Sequence, residues 1–288
     1  MSVPSNPTVT VVVTEALKRA GRTTPTATMV ADAITHQFQE VKADIRMAAP
    51  CHESLKTEAY TTLVRGLREY DWPAEAHKIE YVQVVDGSID AGWVDTAQAG
   101  TTSSITLAST FSLTEDEMIG RRVFLVEGPG EGQRGFVIAW DNGTKIATFA
   151  APVTVAITSA TTYLVERQTW CVWGDPSWAA SQSILPYSPL GPYRSTMRGR
   201  KIVLSSAPPR TCVLVWSYWA SLDQLDEVGT VFVRHLREFR SLWLQGVDVK
   251  TCQRYDEDRY LTEAKLYDAM LTAYGGTACN VLQGTFTD

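Results

Sequence analysis

The chain has 288 residues, 44% hydrophobic and 20% charged, which suits about two well-packed domains, or one domain carrying an insert. A net charge of −6 argues against a protein that grips nucleic-acid phosphates, because that needs a basic face. The start, Met1-Ser-Val-Pro, lacks the basic residues and apolar run of a signal peptide, and Val9–Val13 is too short to span a bilayer, so neither a leader nor a membrane is expected.

Five scattered cysteines (Cys51, Cys171, Cys212, Cys252, Cys279) are odd in number and never at C-x-x-C spacing. They predict free thiols in a reducing compartment rather than a disulfide frame or a zinc knot. Nine tryptophans and eleven tyrosines point to large cores or interfaces.

In chain order, residues 1–8 read as a polar arm and Val9–Ala20 as a short helix stopped at Gly21. Thr26–Ala49 carries Val30, Ile34, Phe38, Val41, Ile45 and Ala48 at steps of four and three, which predicts one helix of roughly 36 Å ended by Pro50. The middle of the chain changes period. Thr57–Val64, a turn at Arg65-Gly66 and Leu67–Trp72 read as a hairpin, and Lys78–Val85 as a strand. Asp86–Gly100 reads as loop.

Strand candidates then follow at Ser104–Leu107, Arg122–Glu127, Gln133–Trp140, Lys145–Ala150 and Thr162–Glu166. Asp141-Asn142-Gly143 is a hairpin-turn signal, since Asn and Gly tolerate positive φ. This stretch has its own turns and enough Val, Ile, Phe and Thr for a small β-barrel or sandwich inserted into a surrounding frame. Gly174–Gly199 is a long Pro/Ser/Tyr-rich loop, and Lys201–Leu204 with Cys212–Trp219 reads as a second hairpin.

The longest helical period lies in Val228–Tyr274. Val231, His235, Leu236, Phe239, Leu242, Trp243, Gly246 and Val247 share one face of its first arm. The acidic run Asp256-Glu257-Asp258 marks a second helix start, and Tyr260, Leu261, Ala264, Tyr267, Leu271 and Tyr274 share a face of the second arm. Gly275-Gly276 is expected to end it. Neither arm can bury its apolar face alone, so partner helices must come from the N-terminal end. The expected class is α+β: a helical bundle formed by N- and C-terminal helices, with β-hairpins and an inserted small β-barrel or sandwich. The expected parts are residues 1–97 and 167–275 as two halves of a frame, 98–166 as the insert and 276–288 as a tail.

The chemistry-bearing candidates have ordinary readings. Gly128-Pro-Gly-Glu-Gly-Gln-Arg-Gly135 lacks the following Lys-Ser/Thr and the helix that a phosphate loop requires, and strands flank it, so it reads as a β-connection. Cys51-His52-Glu53 invites a metal or Cys–His nucleophile reading, yet His36, His77 and His235 supply no matching ligand spacing. Glu115-Asp116-Glu117 and Asp256-Glu257-Asp258 sit where a turn and a helix start want acidic residues anyway. Trp170/Trp173 and Trp216/Tyr218/Trp219 are expected to serve part core, part interface. No catalytic set, cofactor or metal is expected.

Two stretches carry a resemblance. Tyr60-Thr-Thr-Leu-Val-Arg-Gly-Leu-Arg-Glu-Tyr-Asp-Trp-Pro73, followed by Lys78-Ile-Glu-Tyr-Val82, resembles the head-to-tail adaptor proteins of tailed phages, as do Lys201-Ile-Val-Leu204, Pro208-Pro209 and Val213–Trp219. Met118–Ile138, with its Gly-rich turn ending Gly-Gln-Arg, is similar to a β-cassette of phage structural proteins. The resemblance covers most of the chain, though not the Gly174–Gly199 loop.

It implies a non-enzymatic virion component of the phage neck, assembled in the host cytoplasm as a ring of typically twelve copies. The partners it implies are the portal protein, a tail tube or nozzle, sometimes tail fibres, and genomic DNA that passes through the lumen without being read. Within that reading, Thr277, Asn280, Val281, Leu282 and Phe286 are candidates for docking on the portal. Gly128, Gly130, Gly132 and Asn142 are candidate contact turns of the insert. The rival expectation is a carbohydrate-binding or carbohydrate-active protein with a lectin-like β module, and a third is another head-completion or tail-tube component.

Overall fold

The computed structural model describes residues 8–86, 91–171, 195–204, 207–208 and 211–279. The fold is α+β: helices from the two ends of the chain pack together, and several antiparallel sheets lie between them in sequence. The chain divides into two units. One comprises Met1–Thr57, Ala74–Ile79 and Tyr218–Asp288; the other comprises Glu58–Pro73 and Glu80–Ser217.

The first unit is helical. α1 (Val9–Arg19) starts at Thr8, whose hydroxyl accepts the Val11 N–H, and it buries Val12, Val13, Ala16 and Leu17. The helix expected over 26–49 is two helices, α2 (Ala27–Thr35) and α3 (Gln37–Ala48), broken at His36 with φ −115° and ψ −73°. The break re-aims the apolar stripe: Ile34 is left half-buried, while Phe38 stacks on Trp243 with centroids 4.7 Å apart. A short α4 (Glu115–Met118) belongs to the other unit.

The C-terminal stretch is three helices where two arms were expected: α5 (Thr230–Glu238), α6 (Arg240–Tyr255) and α7 (Glu257–Cys279). The extra break falls at Phe239, whose ring meets Tyr274 edge-on at 4.9 Å. Asp256 caps α7 as its acidic run predicts, its side chain accepting the Arg259 N–H. α6 is the centre of the bundle. It packs on α1, α3 and α7, and Leu242 to Val249 are all buried. A Cβ on Gly246 would come within 2.7 Å of Val41 and 2.9 Å of Tyr267, so the missing side chain sets how closely α3 and α7 approach. The expectation that Gly275-Gly276 ends α7 fails. Neither glycine takes a positive φ, and the helix continues to Cys279. Gly275 instead lets α7 lie close to the end of α3, where a Cβ would sit 2.9 Å from the Ala48 carbonyl oxygen.

In chain order the strands are β1 (Lys56–Leu63), β2 (Glu69–Asp71), β3 (Ala76–Asp86), β4 (Val94–Thr96), β5 (Ala99–Gly100), β6 (Ser104–Thr106), β7 (Arg122–Glu127) and β8 (Arg134–Asp141). They continue as β9 (Ile146–Phe149), β10 (Thr162–Val165), β11 (Gln168–Cys171), β12 (Ser195–Arg198), β13 (Lys201–Leu204) and β14 (Cys212–Ala220). Three sheets result, ordered β1-β14-β3-β11, β4-β10-β7-β8-β9-β6-β5 and β12-β13-β2.

Neither expected frame hairpin pairs with itself. The chain does turn at Arg65-Gly66, with Gly66 at φ +86° and the Tyr70 hydroxyl accepting the Val64 N–H at 2.9 Å. β2 then leaves to pair with β13, Tyr70 opposite Ile202, while β1 lies beside β14. Likewise β13 pairs with β12 and β2, not with β14. β4 and β5 fall in the stretch expected to be loop.

The seven-stranded sheet curls over one apolar cluster that includes Trp93, Ile105, Phe111, Val123, Leu125, Trp140 and Tyr163. Its order is open and no closed barrel is formed by the pairing. Its end strands β4 and β5 are neighbours in sequence; between them Ala97 donates to the Thr161 carbonyl and Gln98 to that of Thr106. β7 explains why Arg122–Glu127 reads as a continuous apolar run. Val123 and Leu125 enter that cluster, whereas Phe124 and Val126 point the other way into a second one with Leu164, Val85, Val213 and Val215. At this strand the seven-stranded sheet is therefore a layer between two cores.

Candidate functional site

The residues singled out in the sequence lie in two places. Gly128, Gly130 and Gly132 form the β7–β8 connection, at φ +81°, +85° and +78°. A Cβ would overlap the Ala160 carbonyl at Gly128 and come 2.7 Å from Leu125 at Gly130, but would meet nothing within 4 Å at Gly132. The first two glycines are required by packing as well as by dihedral. Three backbone amides of the turn are spent internally: Glu131 N–H donates to Gly128, Gly132 N–H to Leu125 and Gln133 N–H to Gly130. Strands β7 and β8 flank it and no helix follows it, so it is a β-connection.

The turn forms one wall of a cleft of about 510 Å³, together with Tyr60, Thr62, Phe124 and Glu127. Tyr60 packs edge-on to Phe124 at 5.4 Å and donates to Glu58 at 2.9 Å. Glu58 also accepts from Tyr81 at 3.1 Å and pairs with Arg134 at 2.6 Å. Burial alone would raise the Glu58 pKa, but Arg134 and the two tyrosine hydroxyls outweigh it and hold the carboxyl below its ordinary value. Arg134 stacks in turn over Tyr60 and Phe136. Beside this knot the outer face of β8 and β9 presents Phe136, Ile138 and Ile146 to solvent.

Asn142 sits at the exposed tip of the β8–β9 turn, its side-chain oxygen accepting from Lys145 at 2.7 Å. The positive φ in that turn belongs to Lys145, at 59°, and not to Asn142 or Gly143. The Asp141 carboxylate organises the turn by accepting from Gly143 N–H, Thr144 N–H and the Thr144 hydroxyl, which lowers its pKa. Thr277 belongs to the last turn of α7, while Asn280, Val281, Leu282 and Phe286 lie outside the described residues.

The structure also gathers a group that the sequence did not connect. His52, Ser54, His235, Phe239, Trp243 and Tyr274 meet in the helical unit. Trp243 donates its indole N–H to His235 Nδ1 at 3.2 Å, and His235 Nε2 lies 2.8 Å from the Tyr274 hydroxyl. Ser54 Oγ and N–H both reach His52 Nδ1, at 2.8 and 3.2 Å, and the His52 ring stacks on Tyr274 at 4.3 Å. Desolvation lowers the pKa of both histidines, that of His235 to about 3, and raises that of Tyr274. Cys51, next in sequence, has its thiol pKa raised by burial, the opposite of an activated nucleophile. This is a satisfied polar core. Spacing hinted at it, since His235, Phe239 and Trp243 fall on one face, but Ser54 and Tyr274 are remote in sequence.

Among the described residues no group of three or more His, Cys, Asp or Glu side chains could hold a metal, and no helix is long and apolar enough to cross a membrane. Compared with known proteins, the chain matches no family model and no curated protein sequence.

Proposed function

We propose that this chain is a structural virion protein, a head-to-tail adaptor that assembles as a ring on the portal of a tailed phage and extends the DNA channel toward the tail. The observation that carries the reading is the packing of α1 and α3, from one end of the chain, on α6 from the other. That is the closed helical frame which the resemblance of Tyr60–Pro73 and Lys78–Val82 implies. Residues 98–166, β5 to β10, then supply the inserted cassette. Its exposed Phe136, Ile138 and Ile146 and its turn residues Gly132 and Asn142 are its proposed contacts with tube, nozzle or fibre proteins. The segment from Thr277 onward is the proposed portal-docking tail. A net charge of −6 suits a conduit for DNA, because phosphate-binding walls would slow its passage.

The carbohydrate reading needs aromatic faces open to a sugar. Of the tryptophans whose side chains are described, Trp93, Trp140, Trp216, Trp219 and Trp243 are buried and Trp72 is half-buried under Arg200, while Trp170 and Trp173 lie outside that description; the buried set supports the adaptor. The deciding experiment is a phage lacking this gene product, examined by electron microscopy, together with negative-stain imaging of the purified protein mixed with portal rings. Accumulated tailless heads and an added ring layer on the portal are expected. Normally tailed particles from the deletion, with no layer on the portal, would sink the proposal; a monomer in isolation decides nothing.

A further inference from the structure

The cleft of about 510 Å³ between Tyr60 and the β7–β8 turn is in the size range of sites that bury most of a ligand, about 300–1,000 Å³. It opens along β1. That strand ends its sheet: β14 lies on one side, and no strand pairs with the other among the described residues. Successive side chains of a strand point to opposite faces, yet Tyr60, Thr61 and Thr62 all line the cleft, so what the cleft reaches is the strand's edge. Such an edge offers a row of N–H and C=O groups to an added strand.

The lining chemistry narrows what that strand carries. Phe124, Val126 and Val213 form an apolar floor. Beside it stand Glu127 and Glu131, both exposed and in no ion pair among the described residues. The neighbouring Arg134 is already taken by Glu58. An extended segment with basic residues at its end fits this charge, and an acidic one is repelled.

The same unit carries such a segment elsewhere. β12 ends the three-stranded sheet, and with β13 it forms a tight hairpin, Arg198 opposite Lys201 and Gly199 between them at φ +61°. Its tip is basic: Arg198, Arg200 and Lys201 are exposed, and Arg198 enters no ion pair among the described residues. The tip is remote from the cleft of its own copy. Lys201 lies beside Asp71, at the end of β2 farther from Val64, which borders the cleft.

We propose that the cleft receives the β12–β13 hairpin of a second copy of this chain, β12 adding to the free edge of β1 and Arg198 meeting Glu127 and Glu131. The proposal rests on the adaptor reading for the presence of neighbouring copies, and it names the surfaces that join them. Hairpin and cleft are different surfaces of one unit, so the contact is heterologous; repeated, it closes into a ring or runs on as a filament.

The test is sedimentation velocity of the full-length protein over a concentration series reaching about 1 mM, at low and high salt. The native chain is expected to associate as concentration rises, and less so in high salt. Glu131→Lys and Arg198→Glu should each weaken association about tenfold or more with unchanged circular dichroism, because each sets like charges face to face. An equimolar mixture of the two variants should associate again. In it the basic hairpin of the first meets the acidic cleft of the second, and the reversed hairpin meets the reversed cleft. A native chain that stays monomeric throughout, variants that associate as the native chain does, or a mixture that gains nothing would overturn the proposal. Each of those outcomes leaves the adaptor reading to the portal imaging, whose failure would show instead as a missing layer on the portal.

Discussion

Trp243 donates its indole N–H to Nδ1 of His235 across 3.2 Å, and this contact decides which nitrogen of the histidine carries its proton. With Nδ1 accepting, the proton of the neutral ring sits on Nε2 and is given to the Tyr274 hydroxyl at 2.8 Å. A second proton would have to displace the indole N–H inside a fully buried site.

Stability should therefore fall with acid. His235 is held to a pKa of about 3 by desolvation, below its ordinary 6.5, and His52 is lowered for the same reason. For His235 the unfolded chain takes up the proton as pH drops below about 6.5 while the folded one does not until about pH 3, so its contribution is complete above pH 6.5 and declines from there toward pH 3. The slope from this ring is about 1.4 kcal/mol per pH unit, and His52 adds to it in the same direction. Asp248, whose pKa burial raises, works in the opposite sense, so the His235 share is read as a difference. Urea midpoints at pH 7.5, 6 and 5 should fall for the native sequence and fall less steeply for His235→Gln. An unchanged midpoint across that range would show that the ring is not kept neutral.

Two glycines on neighbouring helices should answer alanine in opposite ways. Gly246→Ala drives a methyl into Val41 and Tyr267 and should destabilise by about 1–3 kcal/mol despite better helix propensity. Gly276→Ala meets nothing within 4 Å, lies inside α7 and should stabilise by up to about 1 kcal/mol. Thermal unfolding of both variants checks the pair.

Tyr163 is fully buried; its hydroxyl donates to the Gly92 carbonyl at 2.7 Å and accepts from the Ala108 N–H at 2.9 Å. Tyr163→Phe keeps the ring and strands both backbone groups, so a loss of about 1–3 kcal/mol is expected in chemical denaturation. A loss below about 0.3 kcal/mol would mean that the hydroxyl does not tie those two loops.

The end of α7 sharpens the test of the proposed docking tail. Because the helix runs through Gly275-Gly276 to Cys279, truncation after Cys279 keeps the helix while removing Asn280, Val281, Leu282 and Phe286. Loss of portal binding with unchanged helical circular dichroism is the expected outcome. Normal binding by the shortened chain would assign docking elsewhere.

Period alone disclosed much of this architecture. The stripe through Phe38, Val41 and Ile45 and the acidic start of α7 were legible because helix faces and caps leave local signatures. The strands at Arg122–Glu127 and Thr162–Val165 were likewise found within a residue. Illegible were the choices made by distant partners. Nothing local tells β2 to prefer β13 over β1, or breaks a helix at His36 and Phe239; those follow from where Ile202, Trp243 and Tyr274 stand in three dimensions. The site suffered for the same reason: His52 and His235 each looked ordinary, and their union with Ser54 and Tyr274 spans the chain.

Val94 and Leu164 face each other on β4 and β10, so the chain enters and leaves the seven-stranded sheet through adjacent strands. Geometrically the segment is a plug with both wires on one side, open to exchange between related genes without rethreading anything else. Its underside is not neutral, however. Phe124, Val126 and Leu164 cover Val85, Val213 and Val215, so any replacement cassette has to bring a greasy sole of its own, and a simple excision would leave the recipient sheet sticky.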